Sequence, residues 1–292
     1  MNDIKITVAT LKSILRNPME NLQRVKHACE RAKQDSARIL FLPELMLTGH
    51  GGHPIMAENA EAVPDGPLSS EILKLSAAYE LCICVGIAER EHNIAYNSQI
   101  VMDKGQYLGL QRKIHLSGDE YCHFGAGEKV AVFDIGDIRF GITICYDNHF
   151  PELALIHALN HVDLILAPHA ARSGVWSAPI TREFSMNLIK LQQENWEKVH
   201  RARAFDHNIF VLLNNVVGSA TEGLENVVAN HAGTVMGVDP NGDVFLRTTK
   251  SDFEEEIVTV ELQGSRRKFN HNMTRNRKPH LFFKMLQETL YK

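Results

Sequence analysis

Segments typical of strands and segments typical of helices alternate along almost the whole chain, and this alternation restricts the fold more than any other feature. Strand-like residues 4–10 are followed by a helical pattern over residues 19–35, and the same order recurs further along the chain. Two strand pairs interrupt it, turning at residues 104–105 and 136–137. Because strand–helix units and hairpins are mixed, the pattern predicts an α/β fold with mixed sheets rather than one purely parallel sheet.

A single domain is predicted for the 292 residues. No linker rich in proline, glycine or serine divides the chain, and no repeat of fixed period is visible. Residues 264–292 are expected to form a tail and a closing amphipathic helix. Hydrophobic residues make up 44% and charged residues 23%, which is ordinary for a globular domain.

Charge, hydropathy and cysteine usage exclude several classes of protein. The net charge is −4, so no overall basic field favours nucleic acid as a partner. No apolar run approaches membrane-spanning length and no signal-peptide pattern begins the chain, so we expect a cytoplasmic protein without membrane partners. Five cysteines without paired spacing do not predict disulfides, and Cys82 and Cys84 are expected in the core. Fifteen histidines form no recognisable ligand set, so we expect no metal or other cofactor.

Three reactive side chains each follow a strand-like stretch. Glu44 closes the run ILFLPE, Lys113 lies in LQRKIHL, and Cys145 ends IRFGITIC. Open α/β sheets bind ligands at the carboxyl ends of their strands, so the three side chains are expected at one site. A carboxylate, an ammonium and a thiol there would supply a base, a donor to a developing oxyanion and a nucleophile.

The segments around these residues carry a family resemblance. FLPELMLTG, RKIHL and CYDNHFPE resemble, in that order, the three signature segments of the nitrilase or carbon–nitrogen hydrolase superfamily. The resemblance continues through GDEYCHFGAGE, DLILAP, RARAFDHNIFVLLNNVVG and AGTVMGVDPNGDVF, and so covers nearly the whole chain. It implies a catalytic triad of Glu44, Lys113 and Cys145, with Glu120 as the second glutamate of the family. It also implies a four-layer α-β-β-α sandwich of two mixed sheets and at least a homodimer.

The chemistry of these groups agrees with the roles that the resemblance implies. Glu44 can take the proton of the Cys145 thiol, because a thiol must be deprotonated to attack a carbonyl carbon. Lys113 and the backbone N–H of Tyr146 can stabilise the oxyanion. Glu120 is expected to orient Lys113 and to help position substrate or water.

Departures from the family pattern bear on the substrate. Members that act on N-carbamoyl amino acids often carry arginines shortly after the cysteine, whereas this chain has Asn148 and His149 there. Arg172 could supply a cation from the next strand end. Tyr146 follows the cysteine where nitrile-hydrolysing members typically have tryptophan, which favours an amidase-like branch. We expect Tyr146, Asn148, His149, His169 and Arg172 to bind substrate.

The sequence therefore predicts a hydrolase of non-peptide C–N bonds, acting as an amidase or ureidase on a small linear amide or carbamoyl compound. One alternative is a nitrilase that uses the same glutamate, lysine and cysteine on a nitrile. Another is a catalytically silent binding protein with the same fold. A loop over residues 48–67 is expected at the surface, where it would shape the pocket.

Overall fold

The computed structural model describes residues 2–51, 55–176, 182–220, 228–248, 254–266 and 276–290. These residues contain fifteen strands: β1 Ile4–Thr10, β2 Ile39–Phe41, β3 Cys82–Glu91, β4 Ile94–Asp103, β5 Gln106–Arg112, β6 Val132–Asp134, β7 Arg139–Ile142, β8 Leu164–His169, β9 Arg172–Trp176, β10 Phe210–Asn215, β11 Val217–Ala220, β12 Val228–Ala232, β13 Val235–Val238, β14 Val244–Arg247 and β15 Glu256–Leu262. They also contain six α-helices: α1 Pro18–Gln34, α2 Ile55–Glu58, α3 Pro67–Tyr79, α4 Pro151–Leu159, α5 Arg182–His207 and α6 Pro279–Leu290.

Twelve of the strands form two mixed sheets of six. The first has the order β15-β1-β2-β3-β4-β5, in which β1, β2 and β3 are parallel and the outer pairs are antiparallel. The second has the order β14-β13-β10-β8-β7-β6, in which β10, β8 and β7 are parallel. Each sheet therefore combines a central parallel group with antiparallel hairpins, as the alternation of signals in the sequence predicted.

Three apolar clusters separate four layers. The innermost lies between the two sheets and joins residues such as Val8 and Phe41 of the first sheet to Phe140 and Leu212 of the second. A second cluster packs α1 and α3 against the outer face of the first sheet. A third packs α4 and α5 against the outer face of the second sheet. Since both faces of each sheet are covered, the architecture is the expected α-β-β-α sandwich.

The two mid-strand cysteines of β3 occupy the centre of this sandwich. Cys82 and Cys84 are fully buried between the sheets, as their two-residue spacing on a strand predicted. They pack there as small apolar side chains, and Cys29 does the same on the buried face of α1.

The connections differ more from expectation than the core elements do. The segment that begins at residue 48 was predicted as a surface loop, but Thr48, Gly49, His50 and Gly51 are buried and α2 follows them. A small third sheet, of order β11-β12-β9, was not predicted. Its strands are short and contain glycine and polar residues, so their alternation is weak.

The carboxyl-terminal region is described only in part. A short turn of 3₁₀-helix, Gly264–Arg266, follows β15, and α6 follows later in the chain. Most of the basic segment 266–278 lies outside the described residues. Of the helices described here, none has both the length and the apolar composition needed to cross a bilayer.

One glycine of β3 sets how closely the Glu44 segment approaches the first sheet. Gly86 N donates a hydrogen bond to Pro43 O at 3.1 Å, and Leu47 N donates to Gly86 O at 3.0 Å. A Cβ atom on Gly86 would lie 2.5 Å from Pro43 O and closer still to Leu45 N. The backbone on either side of Glu44 therefore occupies the space that any other side chain would need.

We expect Gly86→Ala to lower the free energy of unfolding by about 2 kcal/mol or more, because the added methyl group meets backbone rather than a flexible side chain. Urea denaturation measures the change. Gly51→Ala is the control, since its Cβ would meet only the Leu15 Cδ2 atom, at 3.0 Å. Equal stability of the two variants would contradict this account of the close approach.

Candidate active site

The strand ends bring the predicted reactive side chains together between the two sheets. Glu44 follows β2 and Lys113 follows β5 at one end of the first sheet, while Cys145 begins a 3₁₀ turn after β7 of the second. Glu120 lies on another 3₁₀ turn, Gly118–Cys122. The four side chains lie close together, so that Glu44, Cys145 and Glu120 all raise the pKa of Lys113.

Lys113 lies at the centre of a buried polar cluster. Its Nζ atom is 2.8 Å from Glu44 Oε1 and 2.7 Å from Glu120 Oε2, and the side chain is only 1% exposed. Burial alone would lower the pKa of Lys113, but Glu44, with Cys145 and Glu120, raises it above its usual value. Lys113 is therefore a permanent ammonium held between two carboxyl groups.

Both carboxyl groups are fixed by further donors. Asn97 Nδ2 donates to Glu44 Oε1 at 2.8 Å and to Glu120 Oε1 at 2.9 Å. The other oxygen of Glu44 accepts the Ala170 N–H at 2.6 Å. Burial alone would raise the pKa of Glu44, but the charge and hydrogen bond of Lys113 lower it. Glu44 is thus an ionised carboxylate whose position is set by groups from both sheets.

Glu120 is held by its own turn. Its Oε2 atom accepts hydrogen bonds from Ser117 N at 2.8 Å and Ser117 Oγ at 3.0 Å. The bond from Ser117 N belongs to a capping box at the start of the 3₁₀ turn. The same carboxylate therefore stabilises a turn and contacts the Lys113 ammonium.

Cys145 has an unusual backbone conformation. Its φ is +50°, which is uncommon for a residue other than glycine and occurs here where a strand turns sharply into a helix. Burial, reinforced by Glu44, raises the pKa of the Cys145 thiol well above its usual value despite the opposing charge of Lys113. The resting side chain is therefore a thiol, and an ionised carboxylate lies nearby.

Asp147 ties the cysteine turn to the strand end that carries Lys113. One carboxylate oxygen accepts from His115 N at 2.8 Å and contacts His115 Nδ1 at 2.9 Å. The other accepts from Ile144 N at 3.2 Å, just before the cysteine. Burial raises the pKa of Asp147, and the hydrogen bonds from His115 oppose that rise. The distance between the Cys145 and Lys113 segments thus depends on one buried side chain.

A cavity of about 390 Å³ opens onto Cys145, Lys113 and Glu120. Four of the five residues predicted to bind substrate line it: Tyr146, His149, His169 and Arg172. Its wall also includes residues that the sequence analysis did not single out: His50, Ser117, Gly118, Ala170, Ala171, Gln192, Asn195 and Trp196. Three of them, Gln192, Asn195 and Trp196, come from one face of α5 at helical spacing.

Asn148 does not line this cavity, so its prediction as a substrate-binding residue is corrected. Its Nδ2 atom donates to Thr143 O at 2.9 Å and to Cys145 O at 3.0 Å. Its Oδ1 atom accepts from Thr143 Oγ1 at 2.7 Å. The side chain is buried and all of these bonds are internal, so Asn148 stabilises the turn that carries the cysteine.

Asn97 and Asp147 are the structural partners that the sequence analysis missed. Asn97 lies within β4, where alternation predicts only which face a side chain occupies and not what it contacts. Asp147 stands in the segment CYDNHFPE, so its position two residues after the cysteine was the available signal. The Ala170 N–H is a backbone group and has no signature in the sequence.

Comparison with known proteins identifies the family to which the chain belongs. The family model of the carbon-nitrogen hydrolases matches residues 5–269. The chain belongs to this family, the nitrilase superfamily, and is therefore a hydrolase that acts on carbon–nitrogen bonds.

Relatives within the family have different substrates in their names. The chain is 29% identical to a probable nitrilase of Schizosaccharomyces pombe over 91% of this chain and 92% of that protein. It is 26% identical to a citrullinase of Francisella tularensis, over 99% of this chain and 100% of that protein. An amidase structure from Nesterenkonia sp. superposes with a TM-score of 0.76 at 21% identity, over 97% of this chain and 96% of the other. The last similarity shows a shared fold.

Proposed function

We propose that this chain hydrolyses small linear amides or ureides through a thioester on Cys145. The observation that carries the proposal is the buried Lys113 ammonium, clamped between Glu44 and Glu120 beside a cavity that also contains the Cys145 side chain. Such a site combines a base, an oxyanion donor and a nucleophile in one enclosed space. The family and the relative named citrullinase support a substrate of this kind, ureides among them.

The first half of the reaction forms the thioester. Glu44 takes the thiol proton as Cys145 Sγ attacks the substrate carbonyl carbon. Proton transfer coupled to attack suits a thiol whose pKa burial has raised, since little free thiolate is present beforehand. The negative charge that develops on the carbonyl oxygen is stabilised by Lys113 Nζ and by the Tyr146 backbone N–H.

The second half of the reaction restores the enzyme. Glu44 returns its proton to the substrate nitrogen as the C–N bond breaks, and ammonia or an amine leaves the thioester behind. A water molecule then attacks the thioester carbon and gives a proton to the carboxylate of Glu44 or Glu120. Breaking the C–S bond releases the acid, and the proton returns to the Cys145 sulfur. Lys113 donates to the oxyanion in both halves.

We expect Cys145→Ala to abolish ammonia release and Cys145→Ser to retain the fold but lose activity, because an alkoxide is far harder to generate than a thiolate. An ammonia-release screen over amides, carbamoyl compounds and nitriles with matched carbon chains measures this and ranks the three classes. Cys29→Ala is the matched control: it removes a buried thiol on the inner face of α1, and the variant should remain active. Turnover by Cys145→Ala close to that of the wild type would refute the mechanism, and a clear preference for nitriles would favour the nitrilase alternative.

We expect Glu44→Gln and Lys113→Ala each to lower kcat by at least ~10²-fold, because they remove the base and the main oxyanion donor. Glu120→Gln should also lower kcat, since Lys113 loses one of its two charged contacts. Steady-state kinetics on the best substrate of the screen provides the measurement.

The exposed ion pair of Lys33 and Glu80 provides the control. Its atoms are also 2.7 Å apart, and the same substitutions, Lys to Ala and Glu to Gln, can be made there outside the cavity. Lys33→Ala and Glu80→Gln should leave kcat unchanged, because solvent-exposed pairs contribute little. A change confined to KM in Lys113→Ala would contradict its assignment to transition-state charge.

We also propose that the chain forms at least a homodimer, paired through α4 and α5. The outer surface of these helices exposes Ile156, Leu159 and Leu191, and Leu191 is 53% exposed. Large apolar side chains are exposed along α6 as well: Leu281, Phe282, Phe283, Met285, Leu286 and Leu290. Exposed apolar surface of this extent is typical of interaction surfaces, and two-fold pairing is the commonest assembly.

Light scattering at micromolar concentration is expected to give at least twice the chain mass of 32.9 kDa. Leu159→Glu combined with Leu191→Glu should shift the species towards the monomer, because charges would be buried in the interface. Met19→Glu is the control. Met19 lies on the opposite helical layer and is 60% exposed, so this substitution should leave the measured mass unchanged. A monodisperse wild-type species of the chain mass would rule the dimer out.

A further inference from the structure

His169 occupies a distinctive place in the cavity wall. It is the last residue of β8, is 2% exposed and lines the cavity beside Cys145. The next residue, Ala170, donates its N–H to Glu44 at 2.6 Å. The imidazole therefore lines the cavity next to the backbone N–H that holds the Glu44 carboxylate.

Its internal hydrogen bond determines which nitrogen faces the substrate. His169 Nδ1 lies 2.9 Å from Ala167 O, and because a carbonyl oxygen can only accept, Nδ1 carries the hydrogen. Burial lowers the pKa of His169 to about 4, so the ring is neutral near pH 7 and Nε2 retains its lone pair. Within the described part of the chain, no protein donor is bonded to Nε2.

The ring is held in this orientation by α5. Its centroid is 5.1 Å from that of Trp196, with the planes tilted by 60°, and 5.8 Å from that of His200, edge to face. An acceptor in a cavity wall without a protein partner can exchange its bond to water for a bond to a donor of the substrate. The fixed Nε2 lone pair is thus an acceptor available to the substrate.

The leaving nitrogen of the substrate is the donor that fits this position. If the proposed function is correct, this nitrogen must lie against Glu44 in order to receive its proton. In the tetrahedral intermediate the nitrogen carries one lone pair and, for a primary amide or a terminal ureide, two N–H groups. An acceptor for one N–H directs the lone pair towards the Glu44 proton. Nitriles and esters carry no N–H at this atom.

We propose that His169 Nε2 accepts a hydrogen bond from the N–H of the leaving nitrogen, and that the site thereby selects primary amides and terminal ureides over substrates without that N–H. This inference rests on the proposed function and specifies its substrate class. His169 acts here as a specificity-determining residue.

The test compares a primary amide, the best in the ammonia-release screen, with the methyl ester of the same acid. Both would form the same thioester on Cys145 and differ only in the leaving group. In His169→Phe, kcat/KM for the amide should fall roughly 10-fold, because one hydrogen bond is lost and the substrate N–H is left without an acceptor. The value for the ester should stay within about twofold of the wild type.

Two further variants make the comparison decisive. His169→Gln, whose side-chain oxygen can still accept, should recover part of the amide activity that His169→Phe loses. His169→Leu repeats the comparison with a smaller side chain if the phenyl ring prevents folding. His207→Phe is the matched control, because His207 is another buried histidine of α5 but does not line the cavity. It should leave the amide-to-ester ratio unchanged.

An amide-selective loss supports the inference. An equal loss on amide and ester, or no loss on either, overturns it and leaves the thioester mechanism intact. Ammonia release that persists in Cys145→Ala would instead overturn the proposed function itself, so the two failures are distinguishable.

Discussion

The buried Lys113 ammonium is the interaction on which the rest of the site depends. An ammonium removed from water is stable only with close counter-charges and hydrogen bonds, and here Glu44 and Glu120 provide them. Asn97 in turn donates to both carboxylates. The cluster joins the ends of β2 and β5, β4 and a 3₁₀ turn, so it can form only when the first sheet is correctly paired. Removal of either carboxylate would leave a buried charge poorly compensated, which is costly to stability as well as to chemistry.

The same cluster determines the protonation of the nucleophile. Burial raises the pKa of the Cys145 thiol, and Glu44 raises it further than Lys113 lowers it, so the cysteine rests as a thiol beside an ionised base. The strained turn at Cys145 and the bonds of Asn148 and Asp147 fix the sulfur relative to that base. Reactivity in the proposed mechanism thus arises from position, because neither group is unusually reactive by itself.

The sequence predicted mixed sheets, the family resemblance implied that there are two, and together they indicated which side chains meet at the strand ends. Strand-like apolar runs identified β1, β3, β4, β10 and β15, and motif context identified Glu44, Lys113, Glu120 and Cys145. The catalytic roles of these four residues remain a proposal. The polar contacts that hold them could not be predicted, because the partners of Asn97 are 23 and 53 residues away in the chain. The orientation of the Asn148 side chain could not be predicted either, because closeness to Cys145 in the sequence does not decide which side of the turn a side chain occupies.

The long helix α5 connects substrate recognition to the proposed assembly. Gln192, Asn195 and Trp196 lie on its inner face, and Trp196 packs against the imidazole that we assign to the substrate nitrogen. Gln192 also donates to Arg172 O at 3.3 Å, so the helix supports the strand end that carries the cavity's guanidinium. Leu191, the preceding residue, lies on a neighbouring, exposed face of the helix, because successive residues are rotated by about 100°. A dimer paired through that face would place one helix both in the cavity wall and at the subunit interface.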